Sequence, residues 1–119
     1  MTFSLSIVIP AYNEEGRIGR SLDDILAFLS SSDYAAEVIV VDDGSNDLTS
    51  RRVEERVESF SAAGHQLRVL KNEPNRGKGY SVKRGLTESR GEIVLFTDAD
   101  LSSPITEAPK LITPIAERR

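Results

Sequence analysis

The chain has 119 residues, 39% of them hydrophobic and 29% charged, which fits one soluble globular domain and excludes disordered or fibrous classes. Fifteen basic against nineteen acidic residues leave a formal charge of −4, so no global field favours nucleic acid or an anionic membrane, and any phosphate must be held locally. With no cysteine and His65 as the only histidine, disulfides, thiolate metal ligands and histidine-rich zinc sites are all excluded.

In chain order, Phe3 to Pro10 predicts a strand: Leu5, Ile7, Val8 and Ile9 are apolar, and Pro10 cannot donate to a continuing ladder. Ile18, Leu22, Ile25, Leu26 and Leu29 then recur at helical spacing, giving an amphipathic helix that fades at Ser30-Ser31-Ser32-Asp33. Glu37 to Val41 is short and β-branched, the pattern of a strand covered on both faces, and it ends at Asp42. A second helix is expected, capped by Asp47 or Thr49, with Leu48, Val53, Val57 and Phe60 as its core stripe and Gly64 as its end.

Gln66 to Lys71 predicts a third strand around Leu67, Val69 and Leu70, and Asn72 to Gly79 a polar loop punctuated by Pro74, Gly77 and Gly79. A short helix through Tyr80, Val82, Lys83 and Leu86 follows, ending near Gly91. Ile93 to Phe96 makes the fourth strand. Ile105, Ala108, Ile112 and Ile115 form a last helical stripe within Pro104 to Ala116, weakened by Pro109 and Pro114. No repeat or interdomain linker interrupts residues 1–119, so they are read as one domain.

Alternating strands and helices imply an α/β fold: a Rossmann-like parallel sheet of order 3-2-1-4 flanked by helices, with right-handed crossovers. That order places the topological switch between the first and fourth strands. Three polar clusters then share one carboxyl edge: Tyr12-Asn13-Glu14-Glu15, Asp42-Asp43-Gly44-Ser45 and Asp98-Ala99-Asp100. Asp98 and Asp100 leave the end of an apolar strand two residues apart, on the same side. An all-oxygen site with few protein ligands suits Mg²⁺ or Mn²⁺ holding phosphate, and Ser102 adds a further oxygen or binds a metal water.

One of Asp42 and Asp43 is expected to accept hydrogen bonds from a base N–H or ribose hydroxyl, the rest of that cluster serving as a helix-capping turn. Glu14 and Glu15 suit a helix N-terminus, whereas the Tyr12 ring belongs either in the core or stacked on something planar, for which a nucleobase is the natural candidate. Arg76 and Lys78 supply positive charge beside a diphosphate, in a loop that is not a Walker loop: Gly79 follows Gly77-Lys78 where Ser or Thr is required. The run Arg51 to Arg56 reads as a solvated helix face.

Taken in order, Val8 to Glu15, Val40 to Ser45, Asn75 to Gly79 and Asp98 to Ser102 closely resemble the family-two glycosyltransferases with a GT-A fold. Within them the chain looks most like the dolichyl-phosphate glucosyltransferase and mannosyltransferase branch, and the Asn75 to Gly79 loop inclines it towards the glucosyl type. The resemblance implies inverting, metal-dependent transfer of a hexose from a nucleoside diphosphate sugar (UDP-glucose or GDP-mannose) to a polyprenyl phosphate. It places Pro10, Tyr12, Glu14, Val41 and Asp43 around the nucleoside, Asp98 and Ala99 near ribose and phosphate, and Asp98 and Asp100 on the metal. Ser102 departs from the Gln of some mannosyltransferases.

Transfer to a sugar hydroxyl is the alternative within this chemistry; it needs a general base, and no residue of the chain is assigned that role. A phosphoacceptor receiver-like module is the alternative from another class, although its acidic pair would follow the first strand. A haloacid-type phosphatase would carry its Asp-x-Asp near the N-terminus. Met1 to Pro10 lacks a basic leader, and no run approaches the ~18 to 20 apolar residues of a membrane span, so the chain is expected to be cytosolic. The sequence stops without another strand and reads as the front part of a longer enzyme, membrane-directed as a whole, whose fragment binds donor without turning over.

Overall fold

The computed structural model describes residues 3–99, together with the backbone of a short strand at 113–114. Four parallel strands form its centre: β1 (Leu5–Ala11), β2 (Ala36–Asp42), β3 (Gln66–Lys71) and β4 (Ile93–Phe96). Between them run α1 (Ile18–Ser30), the short α2 (Thr49–Glu54) and α3 (Val57–Ala62), and α4 (Lys78–Glu88). Strand order is β3-β2-β1-β4-β5, where β5 (Thr113–Pro114) pairs antiparallel with β4. The expected 3-2-1-4 winding is present.

Both faces of the sheet are covered, which is why its strands are nearly continuous apolar runs. On one face Leu5, Ile7, Ile9, Val38, Val40 and Leu95 pack against Ile18, Leu22, Ile25 and Leu29 of α1, with Val53 and Phe60 from α2 and α3. On the other, Val8, Ile39, Val41 and Val94 are buried with Leu86 of α4 against them. Helix α4 lies close because Gly85 faces the sheet: a Cβ there would stand 2.3 Å from Val8 Cγ1.

Several expectations are corrected. The second helix is two: the α2/α3 break falls at Glu55-Arg56, where Arg56 turns back to pair with Asp23 of α1 at 3.0 Å. Val53 and Phe60 are buried as expected, but Leu48 and Val57 are exposed, and Arg56 is a tie between helices rather than part of a solvated face. The expected helix through Tyr80 to Leu86 is α4, which ends at Glu88; Tyr80 is exposed on it, and Ser81 and Gly85 take its buried face. Finally, Thr113 and Pro114 are extended rather than helical, a placement that an edge strand permits for proline; the rest of the expected tail helix lies outside the described residues.

An unexpected polar knot ties the strands' opposite, amino edge. Glu37, fully buried at the start of β2, accepts from Ser6 Oγ at 2.6 Å and from the Arg90 backbone N–H at 2.5 Å. Guanidinium nitrogens of Arg90 and Arg68 lie 3.5 and 4.0 Å from its other oxygen.

Candidate functional site

Where β1 and β4 run side by side and their connections leave in opposite directions, a cleft of about 440 Å³ opens at the carboxyl edge. Pro10, Tyr12 and Glu14 line it from the first loop, Asp43 from the second, Asn75, Gly77, Lys78 and Ser81 from the third loop and α4, and Asp98 and Ala99 from the end of β4. Of the residues expected around the nucleoside, ribose and phosphate by resemblance, Val41 is absent from the lining. It is fully buried opposite Pro10 in the sheet, supporting the wall rather than forming it.

The first two loops are clasped together. Asp43 N–H donates to Ala11 O at 2.8 Å, Asn13 N–H to Ser45 Oγ at 2.8 Å, Asn46 N–H to Asn13 Oδ1 at 2.8 Å and Glu14 N–H to Thr49 Oγ1 at 2.8 Å. Asn13 adopts φ 51°, a left-handed turn that asparagine tolerates, and this turns the chain out of β1 so that Tyr12 stands nearly half exposed at the cleft edge. Glu14 is paired with Arg17. The expected cap by Asp47 or Thr49 is not made: α2 starts after Leu48 with no side-chain cap, and Asp47 instead braces the turn before it, its Oδ1 accepting from Thr49 N–H at 3.0 Å and from Thr49 Oγ1 at 2.5 Å. Burial pushes its carboxyl up, but these bonds and the Glu15 N–H outweigh it and hold it below the usual value.

The two adjacent aspartates divide their work. Asp42 turns away from the cleft and accepts from Ser45 N–H at 3.0 Å and from Ser50 Oγ, stabilising its own loop. Asp43 faces the third loop: Oδ1 accepts from Arg76 N–H at 2.7 Å and from Asn72 Nδ2 at 2.9 Å, and Oδ2 from Gly77 N–H at 2.8 Å. Burial raises its pKa, yet the three bonds prevail and leave the carboxyl below 3.8. Gly77, at φ 96°, permits the turn that presents two successive N–H groups to one carboxylate.

Asn72 is the residue that sequence reasoning missed. Buried directly after β3, it donates to Asp43 and at 2.9 Å to Ser81 Oγ, and accepts from Arg84 at 2.9 Å. Its only signal was a polar residue immediately following an apolar strand. Arg76 does not line the cleft as expected; its guanidinium lies 5.4 Å from the Tyr80 ring centroid. Lys78 does line it, with Nζ 2.7 Å from Asp98 Oδ1, both side chains substantially exposed.

Asp98 therefore already holds a cation at the place where a metal was expected, and an oxygen donor at the open end of a strand fits a hard divalent ion. Asp100 and Ser102, the other expected metal residues, lie outside the described residues. Among the described residues there is no group of three His, Cys, Asp or Glu side chains able to hold an ion, and no helix long and apolar enough to cross a membrane.

The "Glycosyl transferase family 2" model matches residues 6–119. The chain belongs to that family. It is 41% identical over 116 residues to dolichyl-phosphate beta-glucosyltransferase of Saccharomyces cerevisiae, covering 95% of this chain and 34% of that protein. The chain thus spans about a third of the length of the curated relatives it matches. The mannosyltransferase PcManGT from Pyrobaculum calidifontis, solved with GDP-Man and Mn²⁺, aligns with TM-score 0.72 at 31% identity, over 91% of this chain and 31% of that one.

Glucosyl-3-phosphoglycerate synthase from Mycobacterium tuberculosis, solved with Mn²⁺, UDP and glucosyl-3-phosphoglycerate, aligns with TM-score 0.62 at 32% identity, over 92% and 40% of the two chains. The fold is accordingly part of a GT-A domain, and family membership sets aside the receiver-like and phosphatase readings.

Proposed function

We propose that this chain is the donor-binding part of a metal-dependent, inverting glycosyltransferase that moves a hexose from UDP-glucose or GDP-mannose to a polyprenyl phosphate. The observation that carries this reading is the single cleft onto which Tyr12, Asp43, Lys78 and Asp98 converge from four separate connections. In it the exposed Tyr12 ring stacks on the base. A carboxylate offers about four acceptor positions, and Asp43 uses three on its own protein, leaving one for a base or ribose donor.

Lys78 meets the diphosphate as a point charge. Asp98, with Asp100 and Ser102, would hold Mg²⁺ or Mn²⁺, which would supply positive charge against the departing diphosphate. A polyprenyl phosphate acceptor is already anionic at neutral pH, so the chemistry needs no general base from this chain. The dolichyl-phosphate glucosyltransferase relatives support that acceptor. The whole protein is proposed to work at the cytoplasmic face of a membrane, where a lipid-borne acceptor phosphate would be met.

Calorimetry with UDP-glucose and GDP-mannose, with and without Mn²⁺, tests the proposal. Metal-dependent binding of one of the two is expected, weakened strongly by Asp98→Ala. Absence of binding to either, or binding indifferent both to metal and to Asp98, refutes it.

A further inference from the structure

The geometry points to Lys78 as a charge placeholder that couples metal binding to diphosphate binding by moving from Asp98 to the phosphates. This inference rests on the proposed function and adds a role for one residue within it. Four charged side chains line the described cleft: Glu14, Asp43, Asp98 and Lys78. Glu14 is paired with Arg17, and Asp43 is held by the Arg76 and Gly77 amides and Asn72. Arg76, the other basic residue of the loop, is over Tyr80. Lys78 is thus the cleft's cation, and Asp98 is its partner at 2.7 Å.

A diphosphate entering this acidic cleft needs positive charge, and while Lys78 is drawn onto Asp98 Oδ1 that charge is partly neutralised there. While its ammonium lies on Asp98 Oδ1 it competes with a metal for that oxygen. Once a metal takes the oxygen, the ammonium is released onto the phosphates. The movement is inexpensive for two reasons. The side chain is 68% exposed on a flexible four-carbon stem, so the pair is of the weak, solvent-screened kind. Its backbone, by contrast, is fixed, since the preceding Gly77 N–H is anchored on Asp43 at 2.8 Å. The pivot stays beside the cleft while the charge changes partner, and each ligand then favours the other, as linkage requires.

The test uses this chain with Mn²⁺ and UDP as probes, with GDP in place of UDP where wild type binds only that, comparing wild type, Lys78→Met and Lys78→Arg. Free Mn²⁺ is read by electron paramagnetic resonance and UDP binding by calorimetry, with thermal unfolding confirming that each variant is folded. Lys78→Met is expected to bind Mn²⁺ alone about two- to five-fold more tightly, because a weak competing ion pair is gone. It is expected to bind UDP in the presence of Mn²⁺ about ten-fold more weakly, because a charge-assisted contact is lost.

Lys78→Arg should restore most of both. A purely structural lysine would weaken both ligands together, so opposite signs are the signature. Unchanged or weaker Mn²⁺ binding by Lys78→Met, with wild type binding both probes, overturns the inference and leaves the proposed function standing. Failure of wild type to bind Mn²⁺, UDP and GDP alike overturns both.

Discussion

Replacing Asp43 separates the part of the site that holds the loop from the part that holds a ligand. Its carboxylate accepts from Arg76 N–H, Gly77 N–H and Asn72 Nδ2 at 2.7 to 2.9 Å. Hydrogen bonds to a charged group contribute about 1.5–3 kcal/mol each when buried, but the two loop amides can turn to water once released, so we expect Asp43→Ala to cost about 3–4 kcal/mol in all. Asp43→Asn keeps one acceptor oxygen and sets an amide donor against one of the N–H groups, for about 1–2 kcal/mol.

The same contacts set a pH dependence. Because the folded carboxyl titrates below its ordinary 3.8, this stabilisation is complete above that value and is lost as pH falls through the folded pKa. Urea unfolding of both variants measures the cost, and hydrogen exchange at Arg76 and Gly77 locates it. Both variants within 0.5 kcal/mol of wild type, with those two amides still protected, would refute the reasoning.

Three other measurements probe separate parts of the molecule. Glu37→Ala strands Ser6 Oγ and the Arg90 N–H in a buried place, and should lower stability to urea by about 2–4 kcal/mol; Glu37→Gln, which keeps the acceptor, should lose about half as much. Buried His65 accepts the Ala36 N–H at 3.2 Å, and burial holds its pKa below 6.5, so stability is full above pH 6.5 and declines as pH falls below it, a slope that His65→Gln should flatten. Gly85→Val drives a side chain into Val8 and should raise α4 from the sheet, cutting thermal stability by several degrees or preventing folding; an unaltered melting temperature would contradict the packing.

Strand order was legible because a parallel sheet leaves a plain mark: apolar runs such as Val38 to Val41, followed by Asp42, and Ile93 to Phe96, followed after Thr97 by Asp98, recur between helical stripes. The same mark located the cleft, since polar residues following those runs must share one edge. What escaped were matters decided by tertiary partners. Leu48, Val57 and Tyr80 fit helical stripes, yet the breaks and rotation of their helices are set by Arg56 reaching Asp23 and by Gly85 meeting Val8, contacts far apart in the chain.

Asp42 and Asp43 are adjacent and chemically identical. Only the position of Asn72 and of the Arg76-Gly77 amides decides which of them faces the third loop. Glu37 was readable as the opening of a strand, but its burial depends on Ser6 and Arg90, which lie 31 and 53 residues away.

The central claim is that one cleft, at the switch between β1 and β4, receives a nucleoside diphosphate and a divalent ion through this chain's own residues. A crystal of the chain soaked with Mn²⁺ and UDP measures it directly. The account predicts anomalous manganese signal on the Asp98 carboxylate, Lys78 turned to the diphosphate and the uracil against Tyr12. Manganese and UDP bound elsewhere, with the Lys78–Asp98 pair intact and the cleft empty, would contradict it.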